Sequence, residues 1–134
     1  MSASAQRAVR PPAVGEVPDA ALVAARAADA KLGESTAVLA MGELLGVTDA
    51  FVITSGRNTR QVRTIVEEVE KQVKAALGYG PRSVEGLADL RWVLMDYGDV
   101  IVHVFLDEAR EYYDLERLWG DAAHIDWAGV AVPG

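Results

Sequence analysis

The stretch Arg91–Asp107, RWVLMDYGDVIVHVFLD, constrains the fold more than any other part of this chain. It reads as two strands folded back on each other at Tyr97-Gly98. With those two residues as the turn, Asp96 lies opposite Asp99, Met95 opposite Val100, Leu94 opposite Ile101, Val93 opposite Val102 and Trp92 opposite His103. Side chains alternate between the faces of a strand. One face then carries Val93, Met95, Val100, Val102 and Val104, and should meet the core. The other carries Trp92, Leu94, Asp96, Asp99, Ile101, His103 and Phe105. Two facing carboxylates argue against simple burial, because an unpaired charge in an apolar interior is costly. A cluster of Trp, Leu, Ile and Phe argues against a simply solvated face. The pattern predicts a surface that meets something both hydrophobic and cationic, provided the pairing does not slip.

The remainder reads as support for this hairpin. Residues 1–17 are rich in Ala, Pro and Ser and are expected to be a flexible N-terminal segment. A helix is predicted over the alanine-rich run Ala20 to Leu32, with Asp19 as its N-cap and Gly33 as its stop. Its alanines should allow close approach to a sheet. Thr36 to Met41 and Asp49 to Ser55 are short apolar runs, the pattern of strands covered on both faces. Asn58 with Gln61 forms a capping-box signature. Val62, Ile65, Val66, Val69, Val73, Ala76 and Leu77 then recur at helical spacing. The other side of that helix, with Glu67–Lys71 and Glu70–Lys74 as possible ion pairs, is read as solvated. Gly78 and Gly80-Pro81 end it. A short strand is predicted at Arg82 to Glu85, and one or two short helices after Asp107, with Tyr112, Leu115 and Trp119 on one face and Leu118 beside it. The expected domain spans 18–122, with a C-terminal tail over 123–134. The fold class is α/β: a mixed sheet of about five strands with helices packed on it.

Composition narrows the function. The 134 residues fit one domain, and the net charge of −7 disfavours binding nucleic acid through its phosphates as the main contact. A basic protein is a better partner. There are no cysteines, so disulfide, thiolate and cysteine–zinc chemistry are excluded. Residues 1–17 lack the apolar centre of a signal peptide, and no run is long enough to span a bilayer. A cytoplasmic, soluble protein is expected.

Three chemistries can be weighed. Asp96, Asp99 and His103 could bind a divalent cation. The turn Thr54-Ser55-Gly56-Arg57-Asn58 before a helix is weakly similar to the phosphate-holding turn of a small metal-dependent nucleotidyltransferase, the alternative function. The turn holds one glycine, and the acids sit at a hairpin tip rather than two apart on a strand. Acid–base work by His103 or His124 is the second, but a histidine in an apolar strand is more often packed and hydrogen-bonded. The third is a protein interface. Facing carboxylates repel, and a partner's lysine or arginine would relieve that repulsion. Trp92 and Tyr97 are residue types that anchor interfaces. The interface reading is preferred, with no catalytic residue, metal or cofactor.

The chain resembles the ribosomal silencing factor (RsfS, or Iojap-like) family. The resemblance rests on Thr48 to Ile53, the turn Ser55-Gly56 with Arg60-Gln61-Val62, Glu85-Gly86, the run Trp92 to Phe105, and Arg110, Tyr113, Leu115, Glu116, Leu118 and Trp119. It covers about Asp19 to Ala122. The first strand departs from the family, with Ala40-Met41 where an Asp-Val pair is usual. The resemblance implies a nucleotidyltransferase-like fold without catalysis. It implies binding to the large ribosomal subunit through ribosomal protein L-fourteen, steric blocking of small-subunit joining, repression of translation, and a homodimer when free. Glu85, Trp92, Leu94, Asp96, Tyr97 and Asp99 are the expected partner-binding residues: Trp92 for anchorage, Leu94 and Tyr97 to fill the patch, and Glu85, Asp96 and Asp99 to meet lysine or arginine.

Overall fold

The computed structural model describes residues 17–128. Its elements in chain order are α1 (Asp19–Ala30), β1 (Glu34–Ala40), α2 (Gly42–Leu45), β2 (Ala50–Gly56), α3 (Thr59–Leu77), β3 (Ser83–Glu85), β4 (Trp92–Asp96), β5 (Val100–Leu106), α4 (Asp107–Tyr113), α5 (Leu115–Leu118) and β6 (Ala123–His124). They form one six-stranded mixed sheet in the order β3-β4-β5-β2-β1-β6. The central pair, β2 and β5, is parallel, and every other neighbouring pair is antiparallel. The fold is α/β, as expected, with one strand more than the five anticipated.

The extra strand comes from the predicted tail. β6 pairs with β1, and Ile125 is buried. Just beyond, the Trp127 indole donates to the Thr36 carbonyl at 3.0 Å, and Arg26 donates to the Trp127 carbonyl at 3.2 Å. The packed chain therefore continues past residue 122. Of the expected flexible segment 1–17 only Val17 lies within the described residues, and it is buried.

Both long helices cover one face of the sheet. α1 buries Ala20, Ala21, Ala24, Ala25 and Ala28, and these small side chains let it lie close against both α3 and the strands. Pro18, not Asp19, occupies the N-cap position; Asp19 is the first helical residue, where its charge complements the helix dipole. After Leu32 turns into the left-handed region, the Gly33 amide donates back to the Ala28 carbonyl at 2.9 Å, which ends α1. A side chain at Gly33 would collide with the Thr54 hydroxyl, so only glycine fits there.

α3 follows the predicted pattern. Val62, Ile65, Val66, Val69 and Val73 are buried, each contributing about 2 kcal/mol of apolar burial. The Asn58 carboxamide accepts from the Gln61 amide at 2.9 Å. Gln61 also accepts from the Arg57 amide at 2.8 Å and donates to the Lys31 and Leu32 carbonyls, so the start of α3 caps the end of α1. Among the described residues the ion pairs are Arg57–Glu34, Arg82–Asp96 and Arg110–Glu116. The anticipated Glu67–Lys71 and Glu70–Lys74 pairs are not formed; exposed pairs gain too little to hold long side chains together.

The opposite face is covered only in part. Phe105, Phe51, Ile53, Leu39 and Met41 pack under α4 and α5 through Ala109 and Leu115. Asp114 adopts a left-handed conformation and breaks the segment into two short helices. The expected common face of Tyr112, Leu115 and Trp119 is therefore interrupted: Leu115 is buried, while Tyr112 is 80% exposed and Leu118 69% exposed.

Candidate interface

The hairpin of β4 and β5 forms, but with a different turn. The Tyr97 amide donates to the Val100 carbonyl at 2.9 Å, so Gly98-Asp99 are the turn residues, and Gly98 takes a positive φ of 90°. A glycine at the first turn position suits the twist of a two-residue hairpin. The register becomes Trp92↔Phe105, Val93↔Val104, Leu94↔His103, Met95↔Val102 and Asp96↔Ile101. This is two residues away from the expected pairing. Because side chains repeat every two residues, the assignment of residues to faces survives the shift.

The shift corrects two site assignments. Asp96 does not face Asp99; it lies opposite Ile101. Its carboxylate accepts from the Gly98 amide at 2.7 Å and pairs with Arg82 at 3.4 Å. It is a turn-forming group with partners of its own. Asp99 sits exposed at the tip, and its carbonyl receives the Asp49 and Ala50 amides. Tyr97 points the other way, into the helix-covered core, and is 7% exposed. Burial, with Glu70 nearby, pushes its hydroxyl well above the usual phenol value. It does not share the face of Trp92.

The remaining predicted residues do share a face. β3 pairs with β4 so that Glu85 lies beside Leu94 and Ser83 beside Asp96. Glu85, Leu94 and His103 thus form one row across the sheet, running from an exposed carboxylate to a buried ring. Trp92 and Leu94 are half-buried, as is Ile101. Trp92 stacks on Phe105 at 5.0 Å between ring centres and lies 4.7 Å from Tyr113. Tyr113 is 49% exposed. Ile101 and Tyr113 belong to this surface and were absent from the sequence-based site. Ile101 had the signal of its parity with Leu94; Tyr113 had none beyond its family match, since it reaches the patch only through the path of α4. Gly86 supports the same place: with φ at 94°, a Cβ there would strike the Trp92 carbonyl.

His103 is the buried polar group of this face. Its Nδ1 accepts the Trp92 indole N–H at 3.1 Å, and the Phe51 ring stands edge-on at 4.5 Å. Burial pushes its pKa down from 6.5 to about 4, with no charged neighbour contributing. It is neutral at physiological pH. The proposed cation site is not assembled, since the Nδ1 of His103 is engaged by Trp92 and Asp96 by Arg82. Among the described residues no three His, Cys, Asp or Glu side chains lie close enough to hold a metal ion.

The lowered pKa has a measurable consequence. The unfolded chain binds this proton more tightly than the folded one, so stability is unaffected above about pH 6.5 and falls as pH drops towards 4, by about 3 kcal/mol in all. Urea unfolding at pH 7, 5.5 and 4 should show this loss in the wild type. A His103→Phe variant should lack that share of the slope, while keeping whatever the carboxylates contribute.

The Ser55-Gly56 turn is occupied by structural contacts. Arg110 donates to Ser55 Oγ at 3.1 Å and to the Glu34 and Ser35 carbonyls at 2.9 and 2.7 Å, and pairs with Glu116 at 3.0 Å. This guanidinium ties α4 and α5 to the ends of β1 and β2. It thereby fixes the short helices that carry Tyr113 beside Trp92.

Residues 14–133 match the family model described as ribosomal silencing factor during starvation. The ribosomal silencing factor of Halalkalibacterium halodurans is 41% identical over 108 residues, covering 81% of this chain and 92% of that protein. A mouse protein named mitochondrial assembly of ribosomal large subunit protein 1 is 36% identical over 74 residues, 54% of this chain and 32% of its own length. A crystal structure of a Chromobacterium violaceum protein superposes with a TM-score of 0.73 at 32% identity, covering 78% of this chain and 87% of that one. Among the described residues no helix is long and apolar enough to cross a membrane. With matching sequence along nearly its whole length and a matching fold, the chain belongs to the ribosomal silencing factor family, whose members are ribosome-associated regulators of translation.

Proposed function

We propose that this protein represses translation by binding the large ribosomal subunit through ribosomal protein L-fourteen and blocking small-subunit joining by its bulk. Occupancy alone does this; no substrate is turned over and no cofactor is used. The observation that carries the reading is the half-buried Trp92 against Tyr113, on the same face as Leu94 and Ile101, which the short helices leave partly open. Aromatic anchors inside a polar rim are the common pattern of binding hot spots. Glu85 and Asp99 are exposed carboxylates on that side and at the hairpin tip, and Asp96 lies between them. A net charge of −7 speeds encounter with a basic ribosomal protein. The name of the mouse relative links it to the large subunit, which supports the same choice of partner here. The protein acts in the cytoplasm, and free chains pair as homodimers.

Sedimentation with purified subunits tests this. The protein should travel with the isolated large subunit and, when added first, keep the small subunit from joining. Co-sedimentation with the small subunit alone, or joining that proceeds at saturating protein, would refute the mechanism. Magnesium-dependent nucleotide binding would favour the nucleotidyltransferase alternative.

A further inference from the structure

The Trp92 indole is a donor only, so the contact at 3.1 Å requires an unprotonated Nδ1 on His103. The imidazole must then carry its proton on Nε2. That nitrogen is buried, without a hydrogen-bond partner among the described residues. Leaving a buried N–H unpaired is unfavourable. An apolar residue at this place would avoid that cost, which offsets what the Trp92 bond returns to the fold, so stability is a weak reason for a histidine in a row of Ile53, Leu94 and aromatic rings. What the imidazole supplies and a phenyl ring would not is an acceptor aimed at Trp92.

Among the described residues the other contacts of Trp92 are apolar packing, on rings and on the cluster under α4 and α5. Phe105 lies under it at 26° and Tyr113 beside it at 44°. Such packing permits an indole to slide or flip; a single directional bond at Nε1 selects one orientation. An anchor already fixed in its bound orientation loses less side-chain freedom on association.

We infer that His103 is a positioning residue, whose Nδ1 holds the Trp92 indole in the orientation that engages the ribosomal partner. This rests on the surface proposed above. His103 is beneath that surface, 3% exposed, and touches the partner only through Trp92.

Two measurements test it. The first uses the wild-type protein. Long-range nitrogen–proton correlation of the His103 ring should show the proton on Nε2, and the Trp92 indole N–H should show coupling across the bond to Nδ1. A proton on Nδ1 at neutral pH overturns the inference, whatever any variant does. The second compares binding to isolated large subunits. His103→Phe keeps an apolar ring and removes the acceptor; it should move the Trp92 indole resonance and weaken binding about threefold to tenfold, within the range of one lost side-chain constraint. His103→Asn, whose side-chain oxygen lies near the Nδ1 position, should recover part of both. If His103→Phe binds like the wild type while Trp92→Ala does not, the positioning role is wrong and the surface stands. If Trp92→Ala also binds like the wild type, the surface itself is wrong. Should His103→Phe fail to fold, Trp92→Phe, which removes the donor instead, decides: wild-type affinity in a folded Trp92→Phe protein overturns the positioning role.

Discussion

A Trp92→Ala variant is expected to fold and, on the proposed function, to lose most of its affinity for the large ribosomal subunit. Truncating a central aromatic anchor costs about 2 kcal/mol or more, roughly a thirtyfold weaker complex. The variant also gives up packing on Phe105 and Tyr113 and leaves the His103 acceptor without its donor. That lowers fold stability by about 2–3 kcal/mol, within the margin of an ordinary domain. Circular dichroism and thermal melting separate the two effects. Trp92→Phe provides a second comparison, because it keeps a ring against Phe105 while removing the indole N–H and part of the ring area. Its affinity should fall between those of the wild type and Trp92→Ala. Wild-type binding by a folded Trp92→Ala protein would mean that the partner sits elsewhere.

Arg110→Ala should be the most damaging substitution to the fold outside the core. The guanidinium serves the carbonyls of Glu34 and Ser35, the Ser55 hydroxyl and the Glu116 carboxylate, while mostly buried. Its removal takes the donor from the Ser35 carbonyl, leaves the Glu34 carbonyl with the longer Ser55 hydroxyl contact at 3.3 Å, and leaves the Glu116 carboxylate unpaired. The expected loss is about 2–4 kcal/mol, or a melting point lower by about 10 °C. Arg110→Lys should recover less than half, because an ammonium cannot present the planar fork that reaches all four groups. On the proposed binding surface, affinity for the large subunit should fall as well, since α4 and α5 would no longer hold Tyr113 against Trp92. A melting point within a degree or two of the wild type would show that these contacts do not hold the short helices in place.

Much of this arrangement was legible in the sequence, and the exceptions have physical causes. The helical period of α3 and its Asn58–Gln61 cap were readable because both are local. The two faces of the hairpin were readable because alternation survives any even slip. The turn was misplaced because Tyr97-Gly98 and Gly98-Asp99 both offer a glycine; a glycine followed by aspartate was the better signal, since the first turn position is the one that needs a positive φ. From that slip followed the misplacement of Tyr97, which belongs to the core, and of Asp96, which has Arg82 as its partner. β6 was missed because two residues carry no period. The break at Asp114 was missed because an aspartate in the left-handed region looks, in sequence, like any other helix residue.

The two innermost strands, β2 and β5, are parallel neighbours, yet the chain must pass through all of α3, β3 and β4 to get from one to the other. Contacts between distant parts of a chain form late, because the loop must first be closed. During synthesis, α1, β1 and β2 emerge long before the strand that completes their sheet. The alanine-rich helix and two apolar strands then wait with one flank bare. A newly made molecule is consequently most prone to mispairing with another copy while it is still attached to the machinery that its finished form restrains.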